Sequence, residues 1–141
     1  MAKTHMNKKT IMAILGSGVI ASILVLSFNF NSFDYEILEQ TFTVSAVYFE
    51  NDDIVEISFH DKSSKTKHVI LEILGMSESF HKEYNSSSFV EQIQLSSMPK
   101  YGWQSIPVTL LVEHEEFGKI GIKTEIRPVG EIPATIIFSK S

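Results

Sequence analysis

One membrane-spanning helix followed by an antiparallel β-sandwich is the architecture this chain predicts, on three observations. Residues 10–33 carry no charge. After them, apolar residues alternate with polar ones at a period of two in short runs. Clusters of Asn, Asp, Ser and Gly separate those runs at intervals suited to turns.

The uncharged run is 24 residues long, with an 18-residue apolar centre from Ile11 to Phe28. At about 1.5 Å of rise per residue, it is long enough to cross roughly 30 Å of hydrocarbon. Lys3, Lys8 and Lys9 precede it, and Asp34, Glu36 and Glu39 follow. Basic residues collect on the cytoplasmic side, so residues 1–9 are expected inside and residues 34–141 outside the cytoplasmic membrane. A cleavable secretory signal has the same basic start but an apolar core of only about 7–15 residues. The small-residue cleavage site is also poorly formed here, with Val25-Leu26-Ser27 crowded by Phe28, Phe30 and Phe33. The expectation is an uncleaved anchor, with signal cleavage and release as the alternative. Phe28, Phe30, Phe33 and Tyr35 fall at the expected outer interface, where aromatic rings are favoured, or some of them pack on the domain that follows. Ala13, Ser17 and Ala21 repeat every fourth residue, with Gly18 and Ser22 beside them. Such small residues form a candidate helix-packing face, or simply reflect the composition of spans.

The 108 residues from Asp34 to Ser141 suffice for one domain with its own core. Three of the 12 Lys and Arg precede the span, leaving nine against all 17 acids, so the outer part is near −8. That argues against nucleic acid as a partner, which calls for clustered basic residues. There is no cysteine, which removes disulfides, thiolate zinc sites, iron–sulfur clusters and thiol nucleophiles. A disulfide-free exported domain favours a prokaryotic cell envelope.

Seven strands are expected in the outer part. Phe42, Val44, Ala46 and Tyr48 alternate with polar residues, and Glu50–Asp53 turns the chain. Val55, Ile57 and Phe59 alternate next, and Asp61–Ser64 turns it again. Val69, Leu71 and Ile73 form the third set, and Phe89–Leu95 the fourth. Ile106, Val108, Leu110 and Val112 point one way in the fifth, which Pro107 starts late or keeps at an edge. Ile120, Ile122, Thr124 and Ile126 point one way in the sixth, and Thr135–Phe138 makes the seventh. The loop His114–Gly118 joins the fifth and sixth as a hairpin closing on glycine, which accepts positive φ. Helical periodicity is missing, apart from a possible short turn near Ser77–His81. Seven short strands in about 100 residues predict a two-sheet antiparallel sandwich, with the immunoglobulin-like arrangement as its commonest form. The Cys…Trp…Cys spacing of true immunoglobulin domains is absent, and Trp103 is expected to plug one end of the core or to present a surface ring.

Three groups are candidates for chemistry. His60 and His68 flank the Asp61–Lys67 turn; paired across a hairpin, and with Asp61 or His81 nearby, they would offer imidazoles to Zn²⁺ or Cu²⁺, or else stand as exposed polar residues. Glu113-His-Glu-Glu116 is a dense tip that reads as a cation or basic-partner contact, or as a solvated turn lacking calcium-loop spacing. Asn85-Ser86-Ser87 fits the N-glycosylation pattern in an expected loop. Motifs for nucleophile elbows, zinc helices, phosphate loops and dinucleotide folds are all missing, so neither enzymatic activity nor a cofactor is expected.

The layout of one N-terminal span and one sandwich resembles membrane-anchored accessory proteins of archaeal surface filaments, and pilin-type subunits. The resemblance is architectural, and the early Glu of many pilin helices is absent from residues 10–28. It implies a non-catalytic, protein-binding accessory subunit of a membrane or cell-surface complex. An extracytoplasmic metal or small-ligand binder is the second expectation, and a signal-cleaved secreted or filament-type subunit the third.

Overall fold

A computed structural model describes residues 34–76, 78–97, 99, 102 and 106–141. The expected span, its small-residue face (Ala13, Ser17, Gly18, Ala21, Ser22) and Trp103 lie outside the described residues. Among the described residues, no helix is long and apolar enough to cross a membrane.

The period-two runs become strands for the reason the sequence indicates: one set of alternating side chains leaves water. Helix α1 (Tyr35–Thr41) leads directly into β1 (Phe42–Phe49), followed by β2 (Ile54–Asp61) and β3 (Thr66–Ile73). Then come β4 (Phe80–Tyr84), β5 (Ser88–Gln94), β6 (Pro107–His114), β7 (Gly118–Glu125), the two-residue β8 (Arg127–Pro128) and β9 (Ile137–Lys140). One sheet has the order β5-β2-β1-β8 and the other β4-β3-β6-β7-β9. All pairings are antiparallel except β1 with β8. The inward sets are buried throughout: Phe42, Val44, Ala46 and Tyr48 from β1, Val55, Ile57 and Phe59 from β2, Val69, Leu71 and Ile73 from β3, Val108, Leu110 and Val112 from β6. Two sheets sharing one dry interior are a β-sandwich.

Four expectations are corrected. Among the described residues nine strands form, where seven were expected. Strand β4 was not expected and overlaps the end of the possible short turn near Ser77–His81; its His81, Lys82 and Glu83 are all exposed, so an edge strand with no apolar alternation gave no period to read. The run expected from Ile120 to Arg127 breaks at buried Ile126, and Arg127–Pro128 crosses to pair with β1. The last strand sits two residues later than expected, at Ile137–Lys140. Helix α1 also went unseen, because seven residues that bury only Leu38 leave no helical stripe.

A further correction concerns the Asp61–Lys67 turn. It is not a hairpin: β2 pairs with β1 and β5, whereas β3 pairs with β4 and β6. The turn is a corner that carries the chain from one sheet to the other, and it places the groups described next. The β6–β7 connection is the expected hairpin, closing on Gly118 at φ 72°.

Candidate functional site

Asp61 and His114 continue the inward parity of β2 and β6, so both point into the sandwich at its corner end. Both are buried. Each Asp61 oxygen is committed. Oδ1 accepts from the Ser63 backbone N–H at 2.8 Å and the Ser63 hydroxyl at 2.6 Å. Oδ2 accepts from the Lys65 N–H at 2.9 Å, the Thr66 N–H at 2.9 Å and the Thr66 hydroxyl at 2.8 Å. Burial by itself pushes the carboxyl pKa up, but the donated hydrogen bonds outweigh it and bring Asp61 down to about 2. The carboxylate therefore organises the whole corner, including Ser64, which is held at φ 57°.

His114 ties the β6–β7 hairpin to that corner. Its Nδ1 accepts the Glu116 N–H at 3.1 Å and the Phe117 N–H at 3.3 Å. The hydrogen-bond pattern thus assigns the ring proton to Nε2, which faces the Ser63 Oγ at 3.0 Å and Asp61 Oδ2 at 3.4 Å. Ser, His and Asp are brought together here, as in nucleophilic triads, but the roles run the other way. The nitrogen beside the serine donates, and the serine proton already goes to Asp61, so this trio has no base to activate Ser63. It is a structural tie. Phe42 backs it, at 5.5 Å from the His114 ring and 5.9 Å from Phe59, and Phe117 stacks on His114 at 4.6 Å. The reading of Glu113–Glu116 as a uniformly solvated tip is corrected accordingly: His114 is interior, and Glu116 pairs with Lys65 across the corner.

The three candidate metal histidines are not brought together. His60 lies on β2, opposite Thr43 of β1 and Ser88 of β5, with the other two on the opposite sheet. His68 and His81 share Glu83, at 3.2 Å and 3.7 Å, and His81 also meets Glu72 at 3.1 Å. Among the described residues, no group of three or more His, Asp or Glu is arranged to hold a metal ion. Asn85 is exposed in the short connection between β4 and β5, where its side chain is accessible.

Sequence reasoning missed two further features. Across the β4–β5 edge, Glu91 accepts from the Tyr84 hydroxyl at 2.6 Å and the Lys82 ammonium at 2.8 Å, while Tyr84 stacks flat on Phe89 at 3.7 Å. Burial first, then the Glu91 carboxylate, raises the Tyr84 pKa; the Glu91 carboxyl, pushed up by burial, is lowered overall by Lys82 and Tyr84. This cluster seals one open side of the sandwich. On the other side, the segment after β8 leaves Val129 and Ile132 exposed, Ile132 at 88%, and Ile137 is exposed at the start of β9. Beside it lies a cavity of about 140 Å³ lined by Ala46, Val47, Thr124, Arg127, Pro133 and Ala134 among others. In the sequence, residues 128–134 fall in no expected strand, and nothing there marks their apolar side chains as exposed.

No family model, curated protein or solved structure matches the chain.

Proposed function

We propose that this chain is a single-pass envelope protein: a signal-anchor helix at residues 10–33 holds an extracytoplasmic sandwich that binds other proteins without catalysing a reaction. The observation that carries the reading is the 24-residue uncharged run, basic before and acidic after, joined to a sandwich whose buried core, among the described residues, begins at Leu38. Tyr35 and Ile37, exposed on α1 at the start of the sandwich unit, support an interfacial position there. An immunoglobulin-like arrangement fits the strand order: β1-β2-β5 correspond to A-B-E and β3-β6-β7 to C-F-G, with β4 beside β3. The interaction role is supported by Val129 and Ile132, exposed in the segment after β8, and by Ile137, exposed at the start of β9.

Affinity capture of the full-length protein from gently solubilised native membranes tests this. A stoichiometric membrane or surface-layer partner, lost on Ile132→Asp, is the expected result. A chain recovered from the soluble fraction, with no partner at all, overturns it.

A further inference from the structure

Among the described residues, strand β5 is the one long sheet edge with no charge on its outward side. Its residues are Ser88-Phe-Val-Glu-Gln-Ile-Gln94. Exposed edges are ordinarily blunted by Lys, by Pro or by shortness. The other edges follow that rule: β4 carries His81, Lys82 and Glu83, β8 has two residues, and β9 has four and ends at Lys140. The only charge on β5, Glu91, lies opposite buried Ile57 and is occupied by Lys82 and Tyr84. Val90, by contrast, is 62% exposed on the outer face.

The register shows which backbone groups are on offer. The Asp61 N–H bonds to the Ser87 carbonyl at 2.8 Å and the Leu95 N–H to the Asp53 carbonyl at 2.9 Å, bracketing the β2–β5 ladder. Hydrogen-bonded positions alternate in an antiparallel ladder, so residues 89, 91 and 93 bond to β2 while 88, 90, 92 and 94 aim N–H and C=O at the free edge. Ser88 is served by the Ser86 hydroxyl, which bonds both its N–H and its C=O. Val90, Gln92 and Gln94 remain as three evenly spaced donor–acceptor positions.

Three such positions are self-complementary about their middle member. We infer that the β5 edge pairs with the same edge of a second copy, antiparallel and centred on Gln92. Gln92 then faces Gln92, Val90 faces Gln94, and about six inter-chain hydrogen bonds join the two four-stranded sheets into one. The alternative register centred on residue 91 sets Glu91 against Glu91 and calls on Ser88, which is already bonded; centring on Gln92 sets Glu91 against Ile93. A second copy is the fitting occupant because an outer part of net charge near −8 approaches its own kind only along an uncharged seam. Screening that repulsion strengthens the dimer, so added salt favours association rather than weakening it. This deepens the protein-binding reading above by naming one partner.

The chain has no cysteine, so single introduced thiols report the register directly. Hydrogen-bonded partners sit about 5.5 Å apart between Cα atoms, within the roughly 4.4–6.8 Å a disulfide spans. In the full-length protein in detergent micelles under mild oxidation, Gln92→Cys is expected to give a cross-linked dimer. Val90→Cys and Gln94→Cys are expected to link at least about tenfold less alone, but readily when mixed with each other. Gln92→Pro removes an N–H aimed at the free edge, so it is expected to abolish the dimer in sedimentation without lowering the melting temperature. A Gln92→Cys chain that stays monomeric, or a Val90→Cys chain that links to itself as fast, overturns the inference. Either of those results leaves a different partner captured from membranes untouched, so the two readings fail separately.

Discussion

Removing the Asp61 carboxylate is expected to disassemble the corner between the sheets. In Asp61→Ala, five donors lose their acceptor: the N–H groups of Ser63, Lys65 and Thr66 and the hydroxyls of Ser63 and Thr66. Each hydrogen bond to a charged group contributes about 1.5–3 kcal/mol, and a buried donor left unpaired costs about 1–3 kcal/mol. Ser63 is exposed and recovers water, whereas Thr66 is buried and does not. A net loss of about 3–5 kcal/mol follows, equivalent to a fall in Tm of roughly 12–20 °C for a domain this size. Asp61→Asn retains an acceptor oxygen but presents an amide donor to a ring of donors, so it too is expected to destabilise, by about 2–4 kcal/mol. Guanidinium denaturation followed by far-ultraviolet circular dichroism measures both. The pH dependence provides a second check. The Asp61 pKa falls from 3.8 to about 2 on folding. A depressed carboxyl stabilises the fold above its unfolded value, and that contribution fades as pH falls through the folded one. Nearly two pH units at about 1.4 kcal/mol each make it about 2 kcal/mol, present above pH 4 and lost towards pH 2. The wild type and Asp61→Asn should therefore draw together as the pH drops from 5 to 2. A change below about 1 kcal/mol in Asp61→Ala, or a parallel pH profile for Asp61→Asn, refutes the reasoning.

Tyr84→Phe is expected to cost about 1–2 kcal/mol by leaving Glu91 with Lys82 alone. Tyr48 and Tyr84 both ionise above the usual tyrosine value of 10.0, so in an ultraviolet titration the variant should lose one of the wild type's two high-pH steps and keep that of Tyr48. Because the Tyr84 pKa is raised on folding, the stabilisation is whole below the ordinary tyrosine range and disappears as pH climbs through the folded value. Gly118→Ala should cost about 1–2 kcal/mol through backbone strain alone, since its φ is 72° and an added Cβ would meet nothing within 4 Å. Calorimetric titration of the full chain with Zn²⁺ is expected to show no saturable site dependent on His60, His68 and His81, which two different sheets carry; a site lost on His68→Ala would restore the metal reading.

The buried halves of the main strands were legible because alternation is a local property: each inward set needs only its own segment to be seen. Asp61 and His114, by contrast, read as turn and loop residues, although the same parity reaches them. They extend the series Val55, Ile57, Phe59 and Val108, Leu110, Val112 by one step, and a polar residue at the end of an inward series marks a buried tie. Asp61 two residues before Ser63 also matches the side-chain turn that it forms. What no single segment carried was sheet membership. Whether the Asp61–Lys67 turn folds back or crosses over depends on β5 and β6, dozens of residues away, and the expected His60–His68 pairing failed on that point. Strand β4 was illegible for another reason: an edge strand with polar residues on both faces has no period, and it is held by pairing to β3 rather than by burial.

Thiol labelling in intact native cells tests most directly the proposal of an anchored chain with its sandwich outside. Ile132→Cys, at a position 88% exposed, and Lys3→Cys, ahead of the uncharged run, each give a single thiol in a chain that has none. A membrane-impermeant maleimide should label Ile132→Cys in intact cells and Lys3→Cys only after permeabilisation, with both variants in the membrane fraction. Labelling of Lys3→Cys but not Ile132→Cys in intact cells, or recovery of the chain from the cytosol, would contradict the account.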